Sequence, residues 1–164
     1  MSFLKRFIII FIILVSCVGC DQTTKSIAKS VLSESESSSY FYDTVRLHLV
    51  YNNGAFLGLG SSLSGDWREG IFTVGVAIFL LGALVYAFLS KPGCFSGVSA
   101  IALIFSGGFS NLLDRITCGG SVVDFINIGI GPVRSGIFNI ADIAITIGLF
   151  ILLLAVFRQQ QKER

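Results

Sequence analysis

Four runs of apolar side chains, separated by polar stretches, set the plan of this chain. They cover about residues 7–20, 70–89, 98–113 and 137–157. A helix needs about 20 apolar residues to cross hydrocarbon, with a range of ~17–25. The second and fourth runs meet this alone. The first and third draw in flanking residues such as Phe3, Leu4 and residues 93–97, so the predicted spans are 3–20, 70–89, 95–113 and 137–157. Between the first two spans the pattern changes. Ser33-Glu34-Ser35-Glu36-Ser37-Ser38-Ser39 reads as a polar, mobile loop. From Val45 to Val50 apolar and polar residues alternate among β-branched and aromatic types, which predicts a short strand. Leu49-Val50-Tyr51 breaks the alternation, and Asn52-Asn53-Gly54 marks a turn. The expectation is one membrane domain over residues 1–164, all-α with a small β element. It has four transmembrane helices, a small extracytoplasmic sheet within about residues 40–60, and a covering loop before the second span. Trp67, just before that span, fits an interfacial anchor.

Composition agrees with a membrane protein and excludes other classes. Hydrophobic residues make up 53% of the chain and charged residues 13%, a balance unsuited to a soluble domain. The net charge of +2 is scattered, with no basic stripe for nucleic acid. The four cysteines (Cys17, Cys20, Cys94 and Cys118) and the single His48 show no zinc spacing, so no metal and no cofactor is predicted. Cys17-x-x-Cys20 reads as two small residues of an apolar segment rather than a redox pair. Lys5-Arg6 followed by an apolar run resembles a secretory signal, and Leu14-Val15-Ser16-Cys17 resembles a lipobox. Three further spans and a polar motif directly after the first favour a retained helix.

Four spans put both termini on one side. That side carries Lys5, Arg6, Lys91, Arg158, Lys162 and Arg164 in short segments beside the spans. Lys25, Lys29, Arg46, Arg68, Arg115 and Arg134 are spread over two longer stretches rich in acids. The positive-inside rule weighs short, span-adjacent segments and predicts cytoplasmic termini.

Asp114, Asp124 and Asp142 then lie at or beside span ends toward the outer face. A carboxylate at a span centre costs about 2.5–3.5 kcal/mol, and two that converge can share a proton and activate water. Asn111, Asp114 and Arg115 stand at i, i+3 and i+4. Arg115 is expected to hold Asp114 ionised, which suits a structural role for that acid. Asp124 is expected in an outer loop among Val122, Val123, Phe125 and Ile126, with no adjacent base. Asn139 and Asp142 share a helix face that continues to Thr146, and a start near Ile137 places Asp142 too deep for capping alone. Asp21 and Lys25 are spaced as an i,i+4 pair. Gly54, Gly58 and Gly60 lack the context of a nucleotide loop, while Gly107-Gly108 suits close helix packing.

Five motifs in order then resemble bacterial lipoprotein signal peptidase, the type II signal peptidase: Asp-Gln-x-x-Lys at Asp21 and Lys25, Asn-x-Gly-Ala-Phe at Asn52 to Phe56, Asn-x-x-Asp-Arg at Asn111 to Arg115, Val-Asp-Phe around Asp124, and Phe-Asn-x-Ala-Asp ending at Asp142. The resemblance implies an aspartyl endopeptidase of the bacterial inner membrane. Such an enzyme cuts prolipoproteins before a diacylglyceryl-modified cysteine and is a target of globomycin. It implies Asp124 and Asp142 as the catalytic pair, supported by Asp21, Lys25, Asn52, Gly54, Asn111, Asp114, Arg115 and Asn139. Membrane lipid and the prolipoprotein are the expected partners, and a monomer the expected state. The stretches Cys118-Gly119-Gly120-Ser121 and Gly131-Pro132-Val133-Arg134-Ser135-Gly136, with the Ser-Glu run, depart from the family's pattern. Two other classes fit the acids and the lipobox less well: a proton- or ion-translocating protein, and a non-enzymatic lipoprotein.

Overall fold

The computed structural model describes residues 1–54, 60, 62–89 and 95–162. Ala55, Phe56, Gly58, Lys91, Cys94 and Arg164 lie outside the described residues, as does much of the expected covering loop. Four long helices carry the fold: α1 (Phe3–Val31), α2 (Gly65–Leu89), α3 (Phe95–Thr117) and α4 (Ile140–Lys162). All four are long and apolar enough to cross a membrane.

The helices are apolar outside and polar within. Phe7, Phe11, Ile12, Phe79, Leu81, Phe150 and Phe157 are exposed, whereas Asp21, Lys25, Ser110, Asn111, Asp114 and Asn139 are buried. Lipid tails supply no hydrophobic drive between helices, so close packing of small residues and polar bonds joins them. α3 is the central span, packed on α1, α2 and α4. A Cβ on Gly107 would collide with the carbonyl oxygen of Ala141, and one on Gly148 would lie 2.7 Å from that of Ala100. These two glycines let α3 and α4 touch backbone to backbone. Nearer the N-terminal end of α1, Ile10, Ala87, Val98 and Ala102 form a small apolar core. The buried Arg6 guanidinium there donates to the carbonyls of Ala87 (3.0 Å) and Phe88 (3.1 Å), satisfying the last turn of α2. The lipobox-like segment is thus part of a helix whose earlier turns lock into the bundle.

A four-stranded antiparallel sheet, in the order β1 (Ser38–Tyr40), β2 (Val45–Asn52), β3 (Val122–Ile130), β4 (Val133–Arg134), packs on the end of α1. Ala28 of α1 meets Leu49, Val123 and Phe125 in a second core.

The structure corrects several expectations. α1 does not end at residue 20 but carries the Asp21 motif within it, because nothing there breaks a helix and the buried charges find partners. Ser38 and Ser39 pair with Leu47 and Arg46 instead of forming a mobile loop. Asp124 lies in β3, not in a loop, and residues 131 and 132 turn a hairpin. α4 starts at Ile140, three residues later than Ile137, because Phe138 pairs with Ile126 of the sheet. The broken alternation at Leu49-Val50-Tyr51 is a β-bulge: the register shifts between Leu47 and Val50, and the extra residue turns Leu49 into the core.

Candidate functional site

The site lies where β3 crosses the ends of α1, α3 and α4. Asn139 is the residue before α4, and Asp142 is its third residue. The amide of Asp142 donates to Asn139 Oδ1 (2.9 Å), and the amide of Asn139 donates to Asp142 Oδ2 (3.2 Å). With α4 starting at Ile140, Asp142 forms a reciprocal capping box with Asn139, and its further bond from Asn111 agrees with a role beyond capping alone. Thr146 bonds the carbonyl of Asp142 and takes no part in the side-chain network of the site. Asp21 satisfies a further orphan donor of α4, the amide of Ala141, at 2.8 Å.

Asn139 Nδ2 also donates to Asp124 Oδ1 at 2.7 Å, so one asparagine holds both acids. Each acid has a second asparagine. Asn52 Nδ2 donates to Asp124 Oδ2 and Asn111 Nδ2 to Asp142 Oδ1, both at 2.9 Å. The oxygens of these amides are committed elsewhere. Asn111 Oδ1 accepts from Lys25 Nζ (2.9 Å) and Asn139 Nδ2 (3.1 Å), and Asn52 Oδ1 accepts from the amide of Gly54 (2.9 Å). A lysine has only donors, so Lys25 fixes which end of Asn111 faces the carboxylate.

Beneath this layer is a buried charge cluster. Lys25 Nζ lies 2.7 Å from Asp21 Oδ2 and 2.8 Å from Asp114 Oδ2. The expected Asp114–Arg115 pair is not formed. Neighbours in a helix do not face each other, and Asp114 turns to Lys25, to Gln22 Nε2 (2.9 Å) and to the amide of Val123 (3.0 Å). Arg115 instead donates to the carbonyl of Gly54 (3.0 Å), with its guanidinium 5.9 Å from the ring of Phe72. Phe72 sits in a π-helical turn, Glu69–Gly75, within α2. Gln22 and Ser110 are network members missed from the sequence. Ser110 Oγ donates to Asp21 at 2.7 Å, and its place one turn before Asp114 was the available signal.

All ten predicted site residues are therefore connected, in two layers. Asp124 is buried, and that burial, together with the nearby Asp142 charge, outweighs the bonds from Asn52 and Asn139 and pushes its pKa up to about 6. No group of three or more His, Cys, Asp or Glu side chains suited to a metal occurs among the described residues. Cys17 and Cys20 are free thiols.

A multi-pass membrane protein with two carboxyl groups bridged by amides is the class that this fold and site define. The family model described as signal peptidase (SPase) II matches residues 12–158, and the chain belongs to that family. It is thus a protease that removes signal peptides. It is 34% identical to a lipoprotein signal peptidase of Borreliella burgdorferi, over 96% of this chain and 95% of that one. Against one from Chlorobium phaeobacteroides the identity is 38% over 88% and 89% of the two chains. A solved bacterial membrane enzyme superposes with a TM-score of 0.83 at 29% identity, covering 94% of this chain and 91% of the other.

Proposed function

We propose that the chain is an aspartyl endopeptidase that removes the signal peptide from diacylglyceryl-modified prolipoproteins, cutting just before the lipidated cysteine. Its strongest support is the shared asparagine: Asn139 donates through Nδ2 to Asp124 at 2.7 Å and through its backbone amide to Asp142 at 3.2 Å. Two carboxyl groups held this way compete for charge and share one proton, so the titration belongs to the pair. The ionised partner takes a proton from water, and the water oxygen bonds to the scissile carbonyl carbon. The neutral partner donates its proton to the carbonyl oxygen. As the C–N bond breaks, the leaving nitrogen takes the proton that came from water, and a hydroxyl of the diol intermediate returns its proton to the other carboxylate, so the pair again holds one proton. Asn52, Asn111 and Asn139 keep one donor on each carboxylate oxygen through these exchanges, so little reorganisation accompanies proton transfer. The chemistry asks for no metal and no cofactor.

The substrate's signal helix lies between spans with its acyl chains in lipid, and the sheet covers the site. The protein resides in the bacterial inner membrane as a monomer, with cytoplasmic termini, the site toward the outer face, and globomycin as an inhibitor. Asp124→Asn and Asp142→Asn should each abolish cleavage of a purified lipidated precursor while the protein remains folded. Near-normal turnover by either variant would overturn the pair. Asp114→Asn should lower folded yield, and stable Asp114→Asn protein without turnover would move that residue into the chemistry.

A further inference from the structure

We infer that the two hairpin tips of the sheet form an anchor that seats in the headgroup layer of the bilayer beside the site. Three adjacent aromatics, Tyr40, Phe41 and Tyr42, end the first hairpin, with Phe41 at 77% and Tyr42 at 107% relative exposure. The second hairpin ends in Ile130 and Val133, at 80% and 78%. Both tips are at the same end of the sheet. Val45 pairs with Ile128, the amide of Gly129 donates to the carbonyl of Thr44 (2.9 Å), and Ile130 pairs with Val133. Arg134 Nη1 ties them by donating to the carbonyl of Asp43 at 2.7 Å.

The aromatic tip is also held in a conformation that side chains avoid. Phe41, Tyr42 and Asp43 have φ of 53°, 53° and 67°. Left-handed residues normally occur singly, and such strain persists only where surroundings over-determine it. Here they do. Asp43 Oδ1 accepts from Ser39 Oγ (2.7 Å) and Arg46 Nε (2.6 Å), Oδ2 accepts from Arg46 Nη2 (2.6 Å), and Arg134 Nη1 lies 3.5 Å from Oδ2. The cluster sets two guanidinium groups against one carboxylate, a surplus of one positive charge that suits lipid phosphates.

The direction of the sheet supplies the occupant. β3 touches the end of α3 through the amide of Val123 on Asp114, and the approach to α4 through the paired backbones of Ile126 and Phe138. The C-terminal end of α3 and the N-terminal end of α4 share one rim of the bundle. A strand touching both runs along that rim, and on this inference its continuation to Ile130 reaches the lipid beside the helices. Tyr beside Phe, backed by arginine, is the composition of a membrane interface.

The test replaces Phe41 by Trp in a Trp67→Phe background, giving one tryptophan in the full chain, reconstituted in phosphatidylcholine–phosphatidylglycerol vesicles. Lipid brominated high on its acyl chains should remove most of the emission, aqueous iodide should remove little, and the maximum should shift to the blue. Tyr42→Trp in the same background should behave alike and serves if Phe41→Trp lowers the cooperative melt. Emission quenched by iodide and untouched by brominated lipid at both positions would overturn the anchor. It would also leave the tip facing water, free for a protein partner.

Discussion

Each carboxylate of the candidate pair is served by asparagines whose own oxygens are already engaged. Lys25 holds Asn111, and the amide of Gly54, a residue whose carbonyl accepts from Arg115, holds Asn52. An amide presents a donor or an acceptor depending on its rotation, and these partners remove the choice. Asp124 has the ordinary value of 3.8 when unfolded and about 6 when folded, so folding is linked to proton uptake. Its stabilising contribution is fully present below pH 3.8 and lost as the pH rises through about 6. Thermal unfolding in detergent should therefore show stability falling across that window, and Asp124→Asn, which removes one member of the coupled pair, should alter this part of the slope. Lys25→Met would leave Asp21 and Asp114 without their buried ammonium. Breaking such a pair costs about 3–5 kcal/mol, so folded yield after membrane extraction should collapse.

At the scale of elements, the contact between α3 and α4 sets the distance between Asn111 and Asp142. Gly107 lies one turn before Asn111 and against the carbonyl of Ala141, beside Asp142. Gly107→Ala would push the helices apart at that point. Overpacking of this kind costs about 1–3 kcal/mol, and both the melting temperature and turnover of a lipidated precursor should fall. Gly82 of α2 has nothing within 4 Å of a built Cβ. Gly82→Ala should leave turnover unchanged and match or raise the melting temperature, since alanine suits a helix interior better by about 0.5–1 kcal/mol. Equal losses in the two variants would show that helix approach does not govern the site.

Across the whole molecule, the charged and amide groups lie at one rim and Arg6 toward the other end of α1. If the termini are cytoplasmic, Glu36→Cys on a background with the four native cysteines replaced should react with an impermeant maleimide in intact spheroplasts. Gln161→Cys should react only after lysis. The opposite pattern would reverse the proposed orientation. Both positions are exposed in the fold, so accessibility reports sidedness rather than burial.

The apolar runs, the motif order and the β-prone segment were legible from the chain, because a span needs only a length of apolar residues and a strand only its alternation. Even the bulge left a trace, in the misfit of Leu49-Val50-Tyr51. Asn111 and Asp114 could be placed on a helix face by spacing alone, whereas Asn139, expected on a shared face with Asp142, precedes α4 as its cap. Tertiary structure decided which face met which neighbour. Lys25, not Arg115, holds Asp114; Asp21 reaches the start of α4; and Asp124 comes to Asn139 on a strand. Local periodicity orients a side chain about its own axis. Its partners depend on how separate helices rotate and approach, which non-local packing sets.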